Sequence, residues 1–131
     1  MPSRPNTVML YTDPGKCGQN VWNLVQRQGT QGLVEFFNAF ENLKARLNQV
    51  RHDHVIAVLI LFDRLELAHV VRFADVLHEV KTILVLPDRE PDTIAIGHSL
   101  YPRFISYADG DLLDVAAVLE KMLGQPHDQP A

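Results

Sequence analysis

The chain has 131 residues, 47% hydrophobic and 21% charged, a balance that specifies one compact domain and excludes intrinsic disorder. One cysteine, Cys17, excludes a disulfide framework and any Cys-rich zinc module. Twelve basic against sixteen acidic residues give a net charge of −4 with no basic block, which disfavours nucleic acid and anionic membranes as partners.

Five apolar runs follow in chain order. Thr7 to Tyr11 (TVMLY) ends at Asp13-Pro14-Gly15, a turn signal. Leu33 to Phe37 (LVEFF) follows a break at Gly29-Thr30-Gln31-Gly32. Val55 to Leu61 (VIAVLIL) is continuous and β-branched, Thr82 to Leu86 (TILVL) is closed by Pro87-Asp88, and Phe104 to Tyr107 (FISY) is shorter. Unbroken apolar character marks strands covered on both faces, so the third and fourth runs belong at the centre of a sheet.

Between the runs the period turns helical. Asn20 is placed to cap a segment carrying Val21, Trp22, Leu24 and Val25. Phe40, Leu43, Leu47 and Val50 make a narrow stripe. Leu67, Val70, Val71, Ala74 and Leu77 define one helix near 64–79, and Leu112, Val115, Ala116, Leu119 and Met122 another near 111–123. A short helix near 90–99 has Pro91 suited to its first turn and is weakened by Gly97. Asp109 or Asp111 is expected to cap the last helix. Five strand–helix repeats in one domain require a doubly wound parallel α/β sheet, flavodoxin-like, of strand order 2-1-3-4-5. The domain spans residues 1–124, and 125–131 form a Pro-rich tail. The longest apolar run is far short of a membrane span, and residues 1–6 lack an apolar leader, so the expected setting is cytoplasmic.

Ligands of such sheets sit beyond the carboxyl ends of the strands. Asp13, Asp63, Asp88 and Asp109 fall there. The first three are a candidate set for a weakly held Mg²⁺, set against the ordinary preference of Asp for turns and caps. The loop Pro14 to Gln19 resembles an anion loop but does not fit a phosphate-loop spacing. Cys17 has no adjacent base in the sequence. His52 and His54 would point the same way in a strand but lack a third ligand, and His69 and His78 lie on nearly opposite sides of one helix.

The order of elements and the closing stretch Arg103-Phe104-Ile105-Ser106-Tyr107-Ala108-Asp109-Gly110-Asp111-Leu112-Leu113 resemble the receiver domains of response regulators over about residues 6–124. The resemblance implies an acidic pair after the first strand, an acceptor Asp ending the third, Thr or Ser after the fourth and Lys-Pro after the fifth. Here those places hold Thr12-Asp13, the apolar Val58 to Leu61, Pro87 and Tyr107-Ala108. Asp63 is the only acceptor candidate and is displaced past the strand end. A pseudo-receiver is therefore expected: a non-enzymatic signalling module without a cofactor. The resemblance also implies a docking face on Ile94 to Glu120, offering His98, Tyr101, Arg103 and Tyr107 to a protein partner or to a second copy in a homodimer. The alternatives are a degenerate receiver phosphorylated at Asp63 with Mg²⁺, and a small-molecule or nucleotide binder of the flavodoxin-like type.

Overall fold

The computed structural model describes residues 7–13, 33–110 and 112–123. Its five strands are β1 (Thr7–Tyr11), β2 (Leu33–Phe37), β3 (Val55–Ile60), β4 (Lys81–Leu86) and β5 (Phe104–Tyr107). All pair in parallel, in the order β2-β1-β3-β4-β5. The expected sheet is therefore the one formed, with strand limits within a residue of the apolar runs. The expected helix capped by Asn20, the Pro14 to Gln19 loop and the 125–131 tail lie outside the described residues.

Alternation along the central strands divides the core in two. Met9, Tyr11, Ala57, Leu59, Leu61, Leu84 and Leu86 face one layer, with Phe40, Leu43 and Leu47 of α1 (Phe40–Leu47), Leu67 and Val70 of α2 (Arg64–Val71) and Leu77 of α3 (Ala74–Leu77). Val8, Leu10, Ile56, Val58, Ile60, Ile83 and Val85 face the other, against Val115, Ala116 and Leu119 of α5 (Leu113–Met122). Every residue of β3 is buried, as a central strand between two helical layers requires.

The single helix expected near 64–79 is two helices. After Val71 the bonds tighten, Arg72 N donating to His69 O and Phe73 N to Val70 O. Phe73 leaves helical geometry and lays its ring 4.8 Å from that of Phe40. Aromatic packing across the layer thus overrides a continuous stripe. His69 and His78 consequently sit on different elements: His69 pairs with Glu41 at 3.0 Å, and His78 ends α3.

Pro91 opens α4 (Pro91–His98) as expected, behind Glu90. Gly97 is needed there, because a Cβ would meet Leu86 Cδ1 at 3.1 Å and Cδ2 at 3.2 Å. The missing side chain lets α4 lie close on β4. Leu112 occupies the N-cap position of the last helix at φ 63° with no side-chain bond; of the two aspartates expected to cap it, Asp109 bonds Arg89 instead and Asp111 lies outside the described residues. Leu112 is buried, so apolar burial holds a left-handed backbone that the residue itself disfavours. His52 and His54 are not in a strand but in a 3₁₀ turn before β3, where strand alternation does not apply.

Candidate functional site

The carboxyl end of the sheet is tied together by backbone bonds running past the strands. Thr12 N donates to Phe37 O, Leu61 N to Val85 O and Ala108 N to Leu86 O. These bonds fix where each following side chain stands. Val58, Leu59, Ile60 and Leu61, which span the place of a receiver's acceptor, are all buried and apolar.

Asp63 lies past that end and caps α2, its Oδ1 accepting from Glu66 N at 2.8 Å. Glu66 reaches back in turn. Its Oε1 accepts from Phe62 N at 2.7 Å and its Oε2 from the Tyr11 hydroxyl at 3.3 Å. Burial, then the Glu66 carboxylate, pushes the Tyr11 phenol up to about 12. The sequence signal for this arrangement is the spacing Asp63-Arg64-Leu65-Glu66, an acidic version of the capping box.

Asp88 turns the chain after β4. Its Oδ1 accepts from Glu90 N at 3.0 Å and its Oδ2 from Arg64 Nε at 3.3 Å. The nearby Thr93 hydroxyl, then the Glu90 N–H, hold its carboxyl below the usual carboxylate range, with Arg64 adding to the effect. Thr93 Oγ1 is buried and makes no hydrogen bond of full geometry, so it acts on Asp88 as a nearby dipole rather than as a formed bond. Asp109 accepts from Arg89 at 3.0 Å, and the same guanidinium lies 4.0 Å from the centre of the Tyr107 ring. Behind it, buried Ser106 donates to Asp114 Oδ2 at 2.8 Å.

The strand-end acids are therefore distributed among separate tasks. Asp63 is a helix cap, Asp88 a turn former and partner of Arg64, and Asp13 stands half-buried after Thr12 beside Tyr11. Among the described residues, no three His, Cys, Asp or Glu side chains converge to hold a metal ion. The candidate Mg²⁺ set Asp13, Asp63 and Asp88 is accordingly not brought together as a three-ligand group among the described residues. Sequence reasoning overlooked the two cations at this end, Arg64 and Arg89, each immediately following a strand-end aspartate.

The candidate docking residues are split by β5. His98, Tyr101 and Arg103 precede it and are exposed, Tyr101 at 73%. Tyr107 ends it, half-buried beneath Arg89. Ile96 on α4, 42% exposed, adds apolar surface. Tyr101 takes φ 52°, a left-handed backbone that is uncommon for a bulky residue, and its ring lies 4.6 Å from that of His78.

No family model and no curated protein matches the sequence. Among solved structures, the chain is similar to a pilus assembly-related protein of Burkholderia pseudomallei, at 13% identity and TM-score 0.62, over 90% of this chain and 89% of that one. It is also similar to the type II dehydroquinase of Propionibacterium acnes, at 16% identity and TM-score 0.59, over 94% of this chain and 100% of that one. No helix among the described residues is long and apolar enough to cross a membrane. At such identities the likeness carries the fold and no activity; the chain has a flavodoxin-like parallel α/β fold.

Proposed function

We propose that this protein is an atypical receiver-like signalling module that works by protein–protein interaction and performs no phosphoryl transfer. One observation carries the reading: the acceptor place at the end of β3 is buried and apolar, and the nearest carboxylate past it, Asp63, caps α2 through Glu66 N. Forming an acyl phosphate requires a carboxylate directed at phosphorus, with a cation and donors on the equatorial oxygens. An acyl phosphate on Asp63 would leave the cap only a neutral carbonyl oxygen in place of the carboxylate. Pro87 stands where a hydroxyl donor would, and Tyr107-Ala108 where the lysine would. Losing one preorganised donor alone costs about 3–4 kcal/mol of transition-state stabilisation.

What remains available to a partner is the face of α4 and β5. Ile96, His98, Tyr101 and Arg103 combine apolar, aromatic and cationic surface, the mixture enriched at interfaces. A protein partner or a second copy of the chain is the occupant in this reading.

The test is an amide NMR titration with Mg²⁺ and then beryllofluoride, paired with sedimentation of the wild type and a Tyr101→Ala/Arg103→Ala variant. The reading expects no response at Asp13, Asp63 and Asp88, and loss of self-association or partner binding in the variant. Saturable beryllofluoride shifts centred on Asp63 would overturn the absence of phosphoryl transfer, and unchanged assembly of the variant would overturn the docking face.

A further inference from the structure

The amino end of the sheet is electrostatically unlike the carboxyl end. At the carboxyl end each cation following a strand-end aspartate is paired, Arg64 with Asp88 and Arg89 with Asp109. At the amino end, a cavity of about 520 Å³ opens where the chain enters β3, β4 and β5. Its two acids are already engaged: Asp53 with Arg51 at 3.1 Å, and Glu79 with His52 Nδ1 at 3.2 Å. Its two cations are not. Lys81, which begins β4, and Arg103, just before β5, have no side-chain partner among the described residues.

Both cations line this one cavity. Arg103 N donates to Thr82 O at 2.7 Å, which holds the entry to β5 beside the start of β4. Two positive side chains without a side-chain partner, at a cavity whose acids are engaged elsewhere, offer their charge to an anion from outside. The guanidinium fork of Arg103 suits two oxygens of a phosphate, and the Lys81 ammonium suits a third as a point charge.

The cleft has an aromatic wall as well. Tyr101 lines it, its exposed ring set against His78, and His78 is anchored through its Nε2 to Ser99 O at 3.0 Å. The left-handed backbone at Tyr101 is a local cost that holds this ring at the cavity. A volume of about 520 Å³ lies within the range of roughly 300–1,000 Å³ in which small-molecule sites occur.

We infer that this amino-end cleft binds a small phosphorylated molecule carrying a flat ring, of the nucleoside monophosphate class, with Lys81 and Arg103 on the phosphate and Tyr101 beside the ring. The site goes beyond the docking reading and shares Tyr101 and Arg103 with it, whereas Lys81 belongs to the cleft alone, so Lys81→Gln tests the cleft without touching the docking face. It is also at the opposite end of the strands from the Asp63 and Asp88 loops.

The test is an amide NMR titration of the full chain with AMP, with inorganic phosphate and adenosine as separate arms. AMP is expected to move the amides of 79–82 and 101–104 saturably, and phosphate to move the same set more weakly. Lys81→Gln and Arg103→Gln should each weaken AMP about tenfold or more, as loss of one charge-assisted bond implies, with unfolding midpoints unchanged. Raising KCl from about 50 to 500 mM should weaken AMP binding to the wild type, a readout that needs no variant. Unmoved amides at millimolar AMP, equal shifts in the Lys81→Gln protein, or adenosine binding as tightly as AMP would each overturn the proposal. Phosphate binding as tightly as AMP would overturn the role given to the ring.

Discussion

The Tyr11 hydroxyl donates to Glu66 Oε2 at 3.3 Å, linking the last residue of β1 to the first turn of α2 across 55 positions of sequence. The same glutamate accepts from Phe62 N, so one side chain closes the mouth of the sheet from two directions. Tyr11 is buried, and that burial together with the carboxylate disfavours its phenolate. Because the phenol is raised to about 12 from an ordinary value near 10, its contribution to stability is complete below pH 10. That contribution is lost as pH climbs from 10 through 12, where the unfolded chain ionises first. Urea unfolding at a series of alkaline pH values should show this fall in the wild type. Tyr11→Phe should flatten it, and an identical pH profile for the two proteins would refute the link.

Asp63 is expected to matter for stability and not for chemistry. Its Oδ1 satisfies Glu66 N, one of the donors that a helix start leaves unpaired. Asp63→Ala should cost about 1 kcal/mol, the usual value of a lost cap, while Asp63→Ser should recover most of it. Denaturant midpoints of the three proteins measure this directly. A serine variant no more stable than the alanine variant would show that the carboxylate does something other than cap.

Ser106 and Asp114 join β5 to α5 through a hydroxyl-to-carboxylate bond of 2.8 Å. The hydroxyl is buried and the carboxylate reaches solvent, so removing the donor leaves Asp114 able to find water. Ser106→Ala should therefore cost about 1–2 kcal/mol rather than the larger penalty of a stranded buried charge. Asp114→Ala, which strands the buried hydroxyl instead, should cost at least as much. Thermal unfolding of the two variants separates these outcomes.

The sheet could be read from sequence because its strands are covered on both faces and announce themselves as unbroken apolar runs, Val55 to Leu61 above all. What local pattern could not supply was decided by tertiary contact. Phe73 leaves the helical stripe to pack on Phe40, and Leu112 accepts a left-handed backbone in exchange for burial. Gly97 looked like a helix breaker, yet it is the residue that lets α4 reach Leu86. The strand-end aspartates were visible, but residue preference cannot tell a cap from a ligand. Their assignment came from the partners Glu66, Arg64 and Arg89, which lie one to three residues away or across a loop. The amino-end cleft had no local signal, because Lys81 begins β4 and Arg103 precedes β5, and the two line one cavity only when those strands pair.

Tyr101 offers the sharpest separation of stability from binding. At φ 52° a side chain of any kind crowds its own backbone, a cost of about 1–2 kcal/mol that glycine escapes. Comparing Tyr101→Gly with Tyr101→Ala removes the ring in both and leaves the strain in one. The glycine variant should be more stable than the alanine variant by about 1 kcal/mol, despite the greater freedom glycine has in the unfolded chain. Both should lose whatever contact the 73% exposed ring makes with a partner or ligand, since neither can stack or pack as tyrosine does. Stability would then rise from alanine to glycine while binding stays absent. A glycine variant less stable than the alanine variant would show that the left-handed turn carries no strain. Full binding by either variant would remove Tyr101 from both surfaces.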